Sequence, residues 1–151
     1  MTDPMTNPVT KDIIAIASDH AGFELKSAIK DALIERGFEV LDLGTGNGDS
    51  VDYPDFGHAM GAAIDAGEAP RGVIVCGSGI GISIAANRHK GVRAALCTSG
   101  LMARLARQHN DANVLALGAR IIGFETAMDC LNAFLDTDFE GGRHARRAEK
   151  I

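Results

Sequence analysis

No stretch of this 151-residue chain stays apolar for the roughly 18 residues that a membrane-spanning helix requires, so no such segment is expected. Positive charge is also short, with 15 Lys and Arg against 20 Asp and Glu and a formal net charge of −5. A general nucleic-acid binder needs a basic face to neutralise phosphates, and this balance argues against one while leaving local basic clusters free to hold a small anion. Cysteine is scarce: Cys76, Cys97 and Cys130 are odd in number and widely spaced. No disulfide framework is expected, and a reducing cytoplasm is the expected setting. There is no H-x-x-x-H and no C-x-x-C, which removes the usual zinc signatures, so the reading includes neither metal nor cofactor. Asp49, Asp52 and Asp55 in "GDSVDYPD" read as a solvated loop.

What is present suits one compact domain. Hydrophobic residues make up 46% and charged residues 23%, ordinary values for a globular chain whose length leaves no room for a second core. The start "MTDPMTNPVTK" has neither the basic nor the apolar region of an export signal, and residues 1–11 read as a polar extension to a domain spanning 12–151.

From Asp12 onward, short β-branched runs alternate with longer amphipathic ones, the pattern of a parallel sheet with crossover helices. Five strands are predicted, "IIAIAS" (13–18), "FEVLDLG" (38–44), "GVIVCG" (72–77), "VRAALC" (92–97) and "NVLALG" (113–118). Most are too apolar for a half-exposed sheet, which implies helices on both faces. "FELKSAIKDALIERG" places Leu25, Ile29, Ala32 and Leu33 at helical spacing and ends in Gly37, a natural C-cap. "DFGHAMGAAIDAG", "SIAANRHKG", "SGLMARLARQHN" and "FETAMDCLNAFLD" supply the other helices. The predicted fold is a three-layer α/β/α, Rossmann-like arrangement of five parallel strands. Residues 140–151, "EGGRHARRAEKI", read as a flexible glycine joint carrying a basic arm with Arg143, Arg146 and Arg147.

Ligands of open parallel sheets collect beyond the carboxyl ends of the strands, so those loops are the candidate site. The first strand leads into Asp19 and His20, the third into "CGSGIG", and the fifth into Arg120, while "RQHNDAN" places His109 and Asn110 just before the fifth. The G-x-G-x-G run lacks the spacing and the following acid of a dinucleotide fingerprint, and it follows the third strand instead of the first. Its glycines either permit a tight turn or expose backbone N–H groups that cradle a phosphate or a sugar oxyanion. Cys97 and Cys130 read as small buried apolar groups. Cys76, where a strand breaks into a helix start, is a candidate base or nucleophile, because a helix N-terminus and nearby cations favour the thiolate. Asp19 is either a helix cap or a hydroxyl acceptor. His58 and His89 gain no support from position.

Taken together, "SDHAGFELK", "DYPDF", "CGSGIGISIAANR", "GVRAALC", "RQHNDANVLALGAR" and "EGGRHARR" resemble the type B ribose-5-phosphate isomerases, a family that also holds galactose- and allose-phosphate isomerases. The resemblance runs from about Ile13 to the end of the chain. It implies a metal-independent aldose–ketose isomerase that interconverts ribose 5-phosphate and ribulose 5-phosphate through a cis-enediolate, as a homodimer or homotetramer with active sites shared between subunits. It also implies that Cys76 moves the proton between C1 and C2 and that His109 helps open the furanose ring. Asp19 and His20 would contact the sugar. Gly77, Ser78, Gly79, Ile80 and Gly81, with Asn110, would hold the reacting oxygens, and Arg120, Arg143 and Arg147 would bind substrate, with arginines on the phosphate. Ser78 stands where the family often has threonine and keeps the hydroxyl for proton transfer to oxygen. Another branch of the family uses a glutamate where this chain has Ile82, which leaves Cys76 as the base. An isomerase of a six-carbon sugar phosphate and a noncatalytic sugar-phosphate-binding module are the competing expectations.

Overall fold

The structure, a computed structural model, describes residues 12–151. The polar extension expected over residues 1–11 lies outside the described residues. Five strands form one parallel sheet: β1 (Ile13–Ser18), β2 (Glu39–Asp42), β3 (Arg71–Cys76), β4 (Ala94–Leu96) and β5 (Val114–Gly118). The helices are α1 (Phe23–Glu35), α2 (Tyr53–Asp65), α3 (Ile80–Ala86), α4 (Gly100–Asn110), α5 (Phe124–Asp136) and α6 (Arg143–Ala148). None is long and apolar enough to cross a membrane.

Strand order is β2-β1-β3-β5-β4. The chain steps outward from β1 to β2 and then returns to the other side of β1 as β3, so the first crossovers part above β1 and β3. That divergence opens a crevice at the carboxyl ends of these strands. Side chains alternate along the central strands and build two cores. Ile14, Ile16, Val73, Val75, Leu115 and Leu117 pack with Ile29, Leu33, Leu131 and Phe134 of α1 and α5. On the opposite face, Ala15, Ala17, Ile74 and Ala116 meet Met60 of α2 and Ile82 and Ala86 of α3. Small residues on that face let α2 and α3 lie close to the sheet.

All five predicted strands are present, β2 and β4 in shortened form. Two expectations need correction. Helix α3 begins at Ile80, three residues before the predicted "SIAANRHKG", because Gly79 at φ 76° turns the chain directly from the loop into the helix. The C-terminal segment is also no flexible arm. Gly141 (φ 67°) and Gly142 (φ 55°) make a turn, and the basic stretch after them winds into α6, which packs on α4.

A buried ion pair ties the edge of the sheet to α1. Lys26 is 2% exposed, and its ammonium donates to Asp42 Oδ1 at 2.6 Å and to the Thr45 carbonyl at 2.7 Å. Burial alone would raise the Asp42 carboxyl. The Lys26 hydrogen bond, the Gly44 N–H and the charges of Lys26 and Lys30 outweigh it and hold the group below its ordinary value. Replacing Lys26 with methionine should therefore cost about 3 kcal/mol, the lower end for breaking a buried pair, since Asp42 keeps some solvent access. Because the folded carboxyl is the stronger acid, its contribution is present above about pH 4 and is lost as pH falls through the lowered value. Denaturant midpoints of the parent and Lys26→Met should converge in acid, and a constant gap down to the lowest pH would contradict the assignment.

Candidate active site

Cys76 ends β3 and pairs in register with Gly118 at the end of β5. Its side chain is buried, yet it forms part of a cleft of about 570 Å³ at the carboxyl ends of the strands. Asp19, Tyr53, Gly77, Ser78, Ile80, Gly81, Ile84, Arg120 and Ile121 complete the lining. The Gly79 N–H donates to Cys76 Sγ at 3.1 Å. A backbone donor at the start of α3 therefore faces the sulfur. The loop needs glycine at residue 79, where the backbone is left-handed and a Cβ would come within 2.6 Å of Leu96 Cδ1 and 2.8 Å of the Leu117 carbonyl carbon.

The rest of the loop supplies donors. Ser78 Oγ accepts from the Ile80 N–H at 3.1 Å, which leaves the hydroxyl proton available to a ligand. The backbone ladder of α3 starts only where the Ser83 N–H meets the Gly79 carbonyl at 3.2 Å. The amides of Gly81 and Ile82 therefore belong to the first turn, whose N–H groups precede the intrahelical ladder. Across the cleft, Asp19 Oδ1 accepts from the Gly22 N–H at 3.1 Å, so the carboxylate braces its own turn with one oxygen and keeps the other. His20 Nδ1 accepts from the Val51 N–H at 3.1 Å, which assigns the proton of the neutral ring to Nε2. Arg120 lies beside Gly77, and among the described residues no carboxylate pairs with it.

The other thiols are inert by comparison. Burial pushes the Cys97 thiol up to about 12, with a further rise from Cys130. Burial, followed by the Asp129 charge, also raises Cys130. Both are packed in the core, as the sequence predicts.

One group of predicted residues is elsewhere. His109, Asn110, Arg143 and Arg147 line no part of the Cys76 cleft. Helix α4 runs back against the strand direction, so its last residues lie beside the amino end of β5, whereas Cys76 lies beside its carboxyl end. Four strand residues alone separate those ends by about 13 Å. At that far end His109 stacks on His144, with ring centroids 4.3 Å apart and planes at 13°. Desolvation, then His109 and Arg143, hold the His144 imidazole below its ordinary value. His109 and Asn110, read from the sequence just before β5, therefore lie at the opposite end of the sheet from Cys76 in the same chain.

Sequence reading assigned no role to Tyr53, Ile84 or Ile121 at the cleft. Tyr53 is the only tyrosine, and its ring occupies the space that a side chain at Gly81 would need. The signal was the pairing of "DYPDF" with the third loop glycine, two segments that only the fold brings into contact. His58 Nδ1 and His89 Nε2, 2.9 Å apart, form a separate contact between α2 and the residues after α3.

The family model described as Ribose/Galactose Isomerase matches residues 14–151. Ribose-5-phosphate isomerase B of Escherichia coli is 47% identical over 138 residues, covering 91% of this chain and 93% of that protein. The solved structure of Clostridium thermocellum ribose-5-phosphate isomerase B superposes with a TM-score of 0.91 at 53% identity, covering 92% of this chain and 94% of that one. The Mycoplasma genitalium enzyme, solved with bound ribulose-5-phosphate, gives a TM-score of 0.87 at 43% identity, covering 92% of this chain and 93% of that one.

Proposed function

The chain belongs to the ribose/galactose isomerase family, and from that premise we propose that it interconverts D-ribose 5-phosphate and D-ribulose 5-phosphate with Cys76 as the base. The observation that carries this reading is the Cys76 sulfur in the cleft, accepting the Gly79 N–H at 3.1 Å beside Asp19, Ser78 and Arg120.

In the open-chain aldose the thiolate takes the C2 proton. The electron pair moves into a C1–C2 double bond, and charge develops on O1. Donors of the Gly77–Gly81 loop not engaged by Cys76 or Ser78, among them the Gly81 amide, stabilise that charge, and each well-placed donor contributes about 3 kcal/mol in the transition state. The Ser78 hydroxyl passes a proton between the enediolate oxygens. Cys76 then returns its proton to C1 and the ketose is complete. Asp19 and His20 orient the sugar hydroxyls. The backbone cradle thus serves the enediolate, and the phosphate falls to guanidinium groups, whose planar donor pairs suit a dianion.

Ring opening needs an acid, and no imidazole is among the residues that line the cleft. His109 has this role, assisted by Asn110, and reaches the sugar from a second copy of the chain together with Arg143 and Arg147. The rim of the cleft supports such an arrangement. Ile80, Ile84 and Ile121 are 52%, 57% and 62% exposed around the mouth, an apolar collar suited to burial by another subunit. The functional unit is a homodimer or homotetramer, and residues 12–151 are its single domain.

Incubation with ribose 5-phosphate is expected to produce ketose, with kcat/KM at least about tenfold higher than for allose 6-phosphate or galactose 6-phosphate, since one extra carbon strains a fitted pocket. Preference for either hexose phosphate would overturn the substrate but spare the reaction class. Binding without any ketose would leave a noncatalytic module.

A further inference from the structure

Among the described residues, one set of side chains outside the cleft has the donors and convergence of a metal chelate. His109 lies in the last turn of α4, Glu140 stands in the loop before α6, and His144 lies on α6. Their ligand atoms are all within 4.8 Å of one another. His109 Nε2 and His144 Nε2 approach the same carboxylate oxygen, Glu140 Oε1, at 3.8 and 3.9 Å. We propose that His109, Glu140 and His144 form a binding site for a divalent transition metal of the zinc type, and that an ion held there inhibits the enzyme.

Two imidazole nitrogens and one carboxylate oxygen, with a position left for water, form a donor set that zinc accepts. Bonds of about 2.0–2.2 Å place neighbouring tetrahedral donors about 3.3 Å apart, so the two His–Glu spacings need to close by about half an ångström and the His–His spacing, within 4.8 Å, by at most about 1.5 Å. Side-chain rotation can supply that movement. The backbone beneath is already fixed: the Glu140 N–H donates to the Gln108 carbonyl at 3.1 Å, and the His144 N–H to the Gly141 carbonyl at 3.0 Å. The turn at Gly141 and Gly142 brings Glu140 and His144 to the same side, with His109 alongside; the two rings, stacked at 13° here, turn about their side-chain bonds on chelation so that their in-plane lone pairs converge on the ion. Because the ligands come from separate elements, no short sequence spacing announces them. In the single chain His109 is 41% and Glu140 48% exposed. Arg143 and Arg147 on the same helix oppose a cation, which argues for micromolar affinity instead of the tighter binding of a structural zinc site.

The inhibitory part rests on the role given to His109 above. Coordination occupies its Nε2 lone pair and turns the ring toward Glu140, so Nε2 can then no longer exchange a proton with the sugar.

The test is calorimetric titration of the full, metal-freed protein with Zn²⁺ in a non-chelating buffer, beside turnover of ribose 5-phosphate at matched Zn²⁺. One ion per chain should bind with a micromolar Kd, and turnover should fall with the same midpoint. His144→Ala should weaken binding about tenfold or more. Glu140→Ala should do likewise and serves if the first variant folds poorly. Each variant is compared with its own metal-free rate. Cys76→Ser separates this site from zinc on the catalytic sulfur and should retain binding. Loss of binding in Cys76→Ser with none in His144→Ala or Glu140→Ala would overturn the proposal, as would no binding at all. Binding that depends on His144 without inhibition would establish the metal site, overturn its inhibitory role and count against His109 as the ring-opening acid.

Discussion

Cys76→Ala is expected to lose between about 10² and 10⁴ in kcat for ribose 5-phosphate while binding sugar phosphate nearly as well as the parent protein. The range is that of a positioned base, and binding survives because the phosphate and hydroxyl contacts lie on other side chains. Folding should be little affected. Cys76 packs against small and aliphatic neighbours in the core that includes Ala17, Ile74 and Ile82, and removing one sulfur there should cost about 1 kcal/mol. Residue 82, one turn into the helix beside the sulfur, is Ile82, so that position offers no carboxylate in its place. Calorimetric binding measured beside turnover decides the matter: near-parent kcat would remove Cys76 from the mechanism.

The second large effect concerns the anomeric form of the substrate. His109→Asn should turn over cyclic ribose 5-phosphate about 10²-fold more slowly, the lower end for a lost general acid, because the open aldehyde present in solution bypasses the step. With an acyclic analogue, or in the reverse direction from ribulose 5-phosphate, which cannot form a furanose ring, the loss in forming the enediolate should be much smaller. Single-turnover kinetics on both substrates separates the cases. Equal losses would mean that His109 acts after the ring has opened, or only in holding the site together.

The central strands β1, β3 and β5 were readable because they are buried on both faces and therefore apolar nearly throughout, as in "IIAIAS" and "NVLALG". The start of α3 was not, since Ile80 and Gly81 look like loop until the left-handed Gly79 is known to turn the chain. Arg143–Ala148 looked like a free arm because six residues with this much charge have no helix of their own to defend. Their helix exists through docking on α4, a contact that no local pattern encodes. Cys76, Ser78, Asp19 and Arg120 were legible as one site from the rule that strand ends hold ligands, and the structure brings them into one cleft. His109 was not assignable by that rule. It lies before a strand, and "just before β5" means the opposite end of the sheet from "just after β3". Tyr53 was hidden for a related reason, as it meets Gly81 only after α2 and α3 pack together.

That separation of Cys76 from His109 is the feature on which the functional account turns, and mixing two inactive proteins tests it most directly. Cys76→Ala and His109→Asn homo-oligomers are purified, unfolded and refolded together at equal concentrations, and turnover of cyclic ribose 5-phosphate is measured. If a site takes its base from one chain and its acid from another, each mixed dimer contains one intact pair. Random pairing then restores about one quarter of parental activity. Activity no greater than the sum of the two separate variants, in a sample shown by mass spectrometry to contain mixed oligomers, would contradict the shared site.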